Sequence, residues 1–285
     1  MITQNEITDT IILAYVNISV WTGAKRDKGL AQETAQRKGA VSDACSVTKY
    51  IVDKAMIDYV TAKAQAVRVF HYKNTVAWDD NGGRALPVAR WFTYQAEISP
   101  LIDEFNLACE QFANWYSENW RNQAERLGDM FNAEEYPYPA EIRDRFKFKQ
   151  SFRPIQNPDF RTQLPDTVLN AVQDSMRQGM QEGFKLATAE CWKRVADVVG
   201  KVYATLEEEN KIFRDTLIEN VNVMVDTVGP LNIAGNSVLA DALQEAKNEI
   251  GSCIPDILRV DPRQRKRVCD IAKKIYDLAV LHSQI

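Results

Sequence analysis

The chain has 285 residues, with 35 Lys and Arg against 39 Asp and Glu and a formal net charge of −4. This balance excludes the globally basic polyelectrolyte typical of non-specific duplex binders, so any contact with nucleic acid has to come from a local patch. A hydrophobic fraction of 45% with 26% charged residues is globular composition with enough apolar surface for one large core or two smaller ones, and two subdomains are expected.

Residues 11–22 (IILAYVNISVWT) are β-branched and aromatic, and Val16, Ile18 and Val20 alternate with Asn17 and Ser19 in the two-residue period of a half-buried strand that Gly23 ends. A helix is expected from about Ser42 to Tyr72, with Val47, Ile51, Ala55, Tyr59, Ala62 and Val69 on one face, stopped by the turn cluster Asp79-Asp80-Asn81-Gly82-Gly83. Ser99-Pro100 reads as an N-cap followed by a first-turn proline, opening a helix through Ile102, Phe105, Cys109, Phe112 and Tyr116 to Leu127-Gly128. After the proline-punctuated YPYPAEIRDRF, the segment FKFKQSFR alternates strictly: Phe146, Phe148 and Phe152 on one side, Lys147, Lys149, Ser151 and Arg153 on the other.

Beyond Pro154, Pro158 and Pro165, residues 166–210 carry Val168, Val172, Met176, Phe184, Ala187, Cys191, Val195, Val198, Val202 and Leu206 at helical spacing. Unbroken, that is a helix of roughly 60 Å. Gly179, Gly183 and Gly200 inside it mark kinks or close helix crossings. Further helices are expected over 211–227, 236–250 and 262–283. The fold class is therefore mainly α, with long helices in a bundle-like arrangement and a small β element near 11–22 and 146–153. An α+β subdomain over 1–157 and a helical one over 158–285 follow.

The vocabulary of catalysis is thin. His71 and His282 are the only histidines. The cysteines Cys45, Cys109, Cys191, Cys253 and Cys269 are odd in number and lack C-x-x-C spacing, which argues against disulfides or a zinc knuckle and for buried thiols in a reducing cytosol. Asp79, Asp80 and Asn81 lack the spacing and distal glutamate of a calcium loop, and Gly82-Gly83-Arg84 lacks the glycines and lysine of a phosphate loop. Rossmann, nucleophile-elbow and H-E-x-x-H signatures are missing too. No catalytic residue, metal or cofactor is assigned. An enzyme reading rests on a pocket formed by His71, Asp79, Asp80 and Arg84, although His71, beside Arg68 and Tyr72, fits a packing or capping role better. The acidic N-terminal residues do not suit a signal peptide, and the apolar run Ile11–Val16 is too short to span a bilayer. A cytoplasmic protein without membrane contact is expected.

Two basic features point to binding. The strand FKFKQSFR places Lys147, Lys149 and Arg153 on its polar face, which suits a nucleic-acid backbone but also ordinary protection of a sheet edge. In the C-terminal helix, Asp261 is the expected N-cap and Pro262 the first-turn proline; Arg263, Arg265, Lys266 and Arg267 then crowd the positive end of the helix dipole. Cations kept at such a cost suit an acidic partner or phosphates. Behind them Val268, Ile271, Ile275 and Leu278 form a short seam for another helix, intramolecular or in an oligomer.

Several landmarks resemble a family of uncharacterised proteins of tailed bacteriophages and other bacterial mobile elements. They are Trp21-Thr22-Gly23-Ala24-Lys25-Arg26-Asp27, Arg68 with His71, Thr75-Val76-Ala77-Trp78, and Gly83-Arg84-Ala85-Leu86-Pro87. Leu127-Gly128 with Phe131, Tyr136-Pro137, Phe152-Arg153-Pro154, Phe160-Arg161 and Leu231-Asn232-Ile233 extend the similarity over most of the chain. Relatives are expected to carry a proline before the tryptophan where this chain has Ala77. The resemblance implies a phage-type protein of the bacterial host cytoplasm, sometimes encoded near a MoxR-type AAA+ ATPase and a von Willebrand A-domain protein, and it carries no catalytic residues with it. The leading expectation is a non-enzymatic binding and assembly protein with a protein partner or a homo-oligomeric state, the AAA+ ATPase being a partner by that resemblance alone. The alternative is a single-strand nucleic-acid binder in which Lys25, Arg26, Lys147, Lys149, Arg153, Arg263, Arg265, Lys266 and Arg267 form one groove.

Overall fold

The structure is a computed structural model that describes residues 9–155, 166–209 and 211–284. It is mainly α with a small antiparallel sheet. The chain runs β1 (Ile11–Ser19), β2 (Ala24–Arg26), α1 (Lys28–Arg37), β3 (Thr48–Tyr50), α2 (Lys54–Asn74), β4 (Val76–Ala77), β5 (Arg84–Pro87), α3 (Trp91–Asn119), α4 (Gln123–Leu127) and β6 (Lys147–Pro154). It continues through α5 (Asp166–Glu207), α6 (Thr216–Val228), α7 (Ser237–Ala246), α8 (Pro255–Val260) and α9 (Pro262–Ser283), with short 3-10 turns and one π turn between. The sheet order is β4-β5-β1-β6, with Ile11 opposite Pro87 and Ala14 opposite Arg84. Among the described residues no helix is long and apolar enough to cross a membrane.

Two compact units emerge, and they interleave along the chain. One comprises the described residues of Met1–Tyr15, Tyr72–Tyr94 and Ser151–Ile285; the other comprises Val16–His71 and Gln95–Gln150. This differs from a division at 157/158, a position that lies outside the described residues. The reason is sheet pairing: β1 hydrogen-bonds to β5, seventy residues onward, and such non-local pairing leaves no trace in local periodicity.

In the first unit, α5 and α9 share the most extensive packing of the fold. Cys191, Trp192, Val195, Val199, Val202 and Leu206 of α5 meet Val268, Ala272, Ile275 and Ala279 of α9 in one buried core. Two of the three glycines singled out in α5 mark close approaches. A Cβ at Gly200 would stand 2.7 Å from the Tyr276 ring, and one at Gly183 would stand 2.7 Å from the Trp78 indole, which also meets Phe184 edge-on at 5.0 Å. Gly179 faces open space. Upstream of Met180 the apolar stripe of α5 is shallow, and Val168 is exposed. Asp261 caps α9, accepting from the Arg263 and Gln264 amides at 2.8 and 3.2 Å.

The second unit buries Ile57, Val60, Ala64 and Val67 of α2 with Ile98, Phe105, Cys109, Phe112 and Tyr116 of α3. Trp21 lies edge-on to Phe112 and Tyr116, at 6.0 and 5.8 Å. Lys49 on β3 is buried between Glu135 (2.9 Å) and Asp27 (3.5 Å) and donates to the Met130 carbonyl (2.8 Å). Burial works against its charge, but the two carboxylates outweigh burial and hold its pKa above the usual lysine value.

Three element expectations are corrected. The helix begins at Lys54, not near Ser42, because Thr48–Tyr50 pair with Ala24–Arg26 instead. Its buried face is correspondingly rotated: Ile57, Val60, Ala64, Val67 and His71 step by three and four inward, while Tyr59 and Val69 are exposed. Pro100 does not start a helix but lies inside α3. Full burial of Ile98 before it and Phe105 after it holds one helix through the position despite the lost amide donor. Helices α1 and α8 were not foreseen; α1 buries only Ala31 and Ala35, too little for an apolar stripe to show.

The glycine contacts give a paired prediction. Gly183→Ala should destabilise the protein by about 1–3 kcal/mol by forcing the Trp78 ring aside, whereas Gly179→Ala should stabilise it by up to about 1 kcal/mol. Chemical denaturation of the two variants checks both signs.

Candidate functional site

The nine basic residues expected to form one groove are divided between the two units. Lys25, Arg26, Lys147 and Lys149 are exposed on β2 and β6 of the second. In the first, Arg153 lies 4.8 Å over the Tyr15 ring. Lys266 pairs with Asp270 at 3.0 Å, and Arg267 pairs with Glu249. Arg263 is exposed. Arg265 leaves the set altogether, because it is buried and donates to the carbonyls of Leu206, Thr205, Glu208 and Lys211 at 2.7 to 3.3 Å. It satisfies the end of α5, where unpaired carbonyls and the negative end of the helix dipole favour a cation.

The expected helix seam is intramolecular. Val268 and Ile275 are buried in the core, and Ile271 and Leu278 pack against it half-buried. Of the four residues expected to share a catalytic pocket, Asp80 is exposed in the β4–β5 turn and the other three are engaged in the fold. His71 is buried on the apolar face of α2. Asp79 closes the β4–β5 turn, accepting from the Asn81 and Gly83 amides at 2.8 Å each. Tyr15 also donates to it, and burial followed by the Asp79 charge holds that phenol above its ordinary pKa. Arg84 is committed to Thr75 and Glu190. Among the described residues no group of three or more His, Cys, Asp or Glu is placed to hold a metal ion.

Glu190 of α5 is the centre of the most connected polar cluster. Its carboxylate accepts from the Ala77 amide (2.5 Å), Arg84 Nη2 (2.7 and 3.0 Å) and Arg194 Nη2 (2.6 Å). Arg194 also donates to the carbonyls of Tyr72, Lys73 and Thr75, at the end of α2. Burial alone would raise the Glu190 pKa, but Arg84, Arg194 and the Ala77 amide together hold it below the usual carboxylate range. A carboxylate so saturated stays ionised and is a poor proton acceptor, so the cluster is an anchor.

Beside this anchor α5 and α6 enclose a groove of about 540 Å³. On α5 it is lined by Glu190, Arg194, Val198 and Lys201, spaced four, four and three apart and therefore on one stripe of three turns. From α6 come Leu217, Val223 and Met224, with Asn220 and Thr227 at the edges; Tyr72 and Lys73 close one end. Val223 is 49% exposed. Lys73 and Lys201 make no ion pair with any described residue.

A second surface lies at α8. Ile254, Ile257 and Val260 recur every three residues and are 59%, 43% and 80% exposed. Arg259 donates to the Phe213 carbonyl at 3.0 Å and pairs with Asp215, which lays the 212–215 segment against α8 and brings the 91% exposed Ile212 to the same end of the unit. Neither surface was named from sequence. The signals available were the Glu190–Arg194 pair beside the apolar stripe of α5 and the aliphatic triplet around Pro255.

Two predictions test the anchors. Arg265→Met should cost about 3 kcal/mol by orphaning the α5 carbonyls, while Arg263→Ala should stay within about 0.5 kcal/mol. Glu190→Gln should cost about 2 kcal/mol at neutral pH. Because the folded-state pKa of Glu190 is lowered, its contribution is present above the ordinary carboxylate range and lost as pH falls through the folded value. The wild-type advantage in urea titrations should therefore shrink below about pH 4.3 and vanish in stronger acid.

Comparison with known proteins gives no matching family model, no matching curated protein and no matching solved structure.

Proposed function

We propose that the chain is a phage-type binding and assembly protein of the host cytoplasm, without catalytic activity, that works through helical protein–protein contacts. The observation that carries this reading is the aliphatic stripe at α8, where the N-cap Ile254 and Ile257 and Val260 of the helix are exposed at three-residue spacing. Clustered apolar exposure of this kind marks an interaction surface. The occupant is a second copy of the chain. Asp256 lies at the start of α8 and Arg263 just beyond its end, so antiparallel packing of α8 on its two-fold mate sets opposite charges across the apolar centre. The saturated state of Glu190 and the structural commitments of Asp79 and Arg84 support the non-catalytic half of the reading. The resemblance of the sequence landmarks to phage and mobile-element proteins supports its biological setting.

Light scattering of the purified chain tests the proposal. The wild type should have the mass of a dimer and Ile257→Asp/Val260→Asp that of a single chain, with both retaining the same helical circular dichroism. A fluorescent single-stranded oligonucleotide should keep its free anisotropy in their presence. A monomeric wild type, or tight oligonucleotide binding that weakens steeply with salt and is lost in Lys147→Glu/Lys149→Glu, would overturn the reading in favour of single-strand binding.

A further inference from the structure

We infer that the groove between α5 and α6 is a docking site for an amphipathic helix of a different protein, one whose apolar stripe is flanked by carboxylates. The argument starts from shape. The α5 stripe from Glu190 to Lys201 rises about 16 Å, three helical turns, and α6 runs a matching stripe from Leu217 through Val223 to Thr227. A trough bounded by two helices over three turns accepts a third helix, which presents anchors at positions i, i+3 or i+4, and i+7.

The floor gives the second step. Val198, Leu217 and Met224 are aliphatic or thioether side chains, and Val223 stands half in solvent. Met in particular adapts to differently shaped apolar anchors. A nucleic-acid strand would instead need aromatic faces for its bases. The one aromatic ring here, Tyr72, already lies under the Arg84 guanidinium at 4.6 Å.

Charge fixes the class of partner. Lys73 stands at the Glu190 end of the trough and Lys201 seven residues of α5 beyond Arg194, so both ends carry a cation with no carboxylate partner among the described residues. The only acidic group in the lining, Glu190, is shared by two arginines and leaves that cluster net positive, two cations against one anion. A helix with Glu or Asp on both flanks of its apolar stripe neutralises the trough, whereas a second copy of α8, whose flanks are mixed in sign, does not. This surface shares no lining residue with α8, so the inference stands apart from the dimer.

The test uses the full chain and fluorescein-labelled synthetic helices of about 16 residues, three to four turns, identical in their leucine stripe and carrying either Glu or Lys on both flanks. The Glu peptide should bind and weaken with salt, and the Lys peptide should bind at least about tenfold more weakly. Lys73→Glu/Lys201→Glu, which breaks no ion pair, should reverse that preference, and Val223→Asp should abolish binding of both. Failure of the Glu peptide to bind, equal binding of the two peptides, or binding insensitive to these variants would overturn the inference. An oligonucleotide that binds wild type and is released by Lys73→Glu/Lys201→Glu would overturn it in favour of nucleic acid.

Discussion

The first unit depends on one partly buried carboxylate. Glu190 gathers the Ala77 amide from β4, the Arg84 guanidinium from β5 and Arg194 from its own helix, while Arg194 reaches on to the last carbonyls of α2. The hairpin, the end of α2 and the long helix are thus pinned at a single point. The same hairpin brings Trp78 against Gly183, where the helix has no Cβ to hold the indole off. Placing two guanidiniums near one carboxylate leaves an excess of positive charge, and the α2 carbonyls absorb it at the negative end of that helix. Arg265 repeats the device at the end of α5, so an arginine side chain, partly buried at α2 and buried at α5, takes up the last carbonyls of both helices in place of the more usual glycine.

The two surfaces of this unit differ in how they select an occupant. The α8 stripe is aliphatic with charges of both signs near its ends, which fits the pairing with its own image proposed for it. The groove has an apolar floor between lysines that make no ion pair with any described residue, which fits the acidic helix proposed for it. Specificity by repulsion and specificity by fit are both available within one helical body.

The helical character of the chain and its principal strands were legible from periodicity. β1, β6, α5 and the α9 cap at Asp261 follow from local pattern, because each is a property of adjacent turns or alternating residues; the glycines of α5 are visible in the sequence, but which of them meet a ring depends on the distant Trp78 and Tyr276. What was not legible has a common cause. Arg265 and Arg263 are two positions apart in a run of cations, and only the arrival of the α5 end, more than fifty residues upstream, turns one inward and leaves the other in solvent. The buried face of α2 differs from the expected one because apolar residues occur all round that helix, so local spacing cannot choose among its faces. Pro100 shows the same rule from the other side: with its neighbours buried, a dipeptide that locally reads as a helix start lies inside one continuous helix.

The interleaving of the two units constrains the order in which the protein can mature on the ribosome. The second unit has all its residues once position 150 has been made. The residues of the long-range β1–β5 pairing are also all present by then, but the helix that covers Trp78 and receives the Ala77 amide lies entirely downstream. The nascent chain therefore carries an indole-bearing sheet face without its lid until α5 leaves the exit tunnel, an interval on the order of ten seconds at ordinary elongation rates. Until then Ile11, Leu13, Val76, Trp78 and Ala85 form an apolar face open to a holdase chaperone.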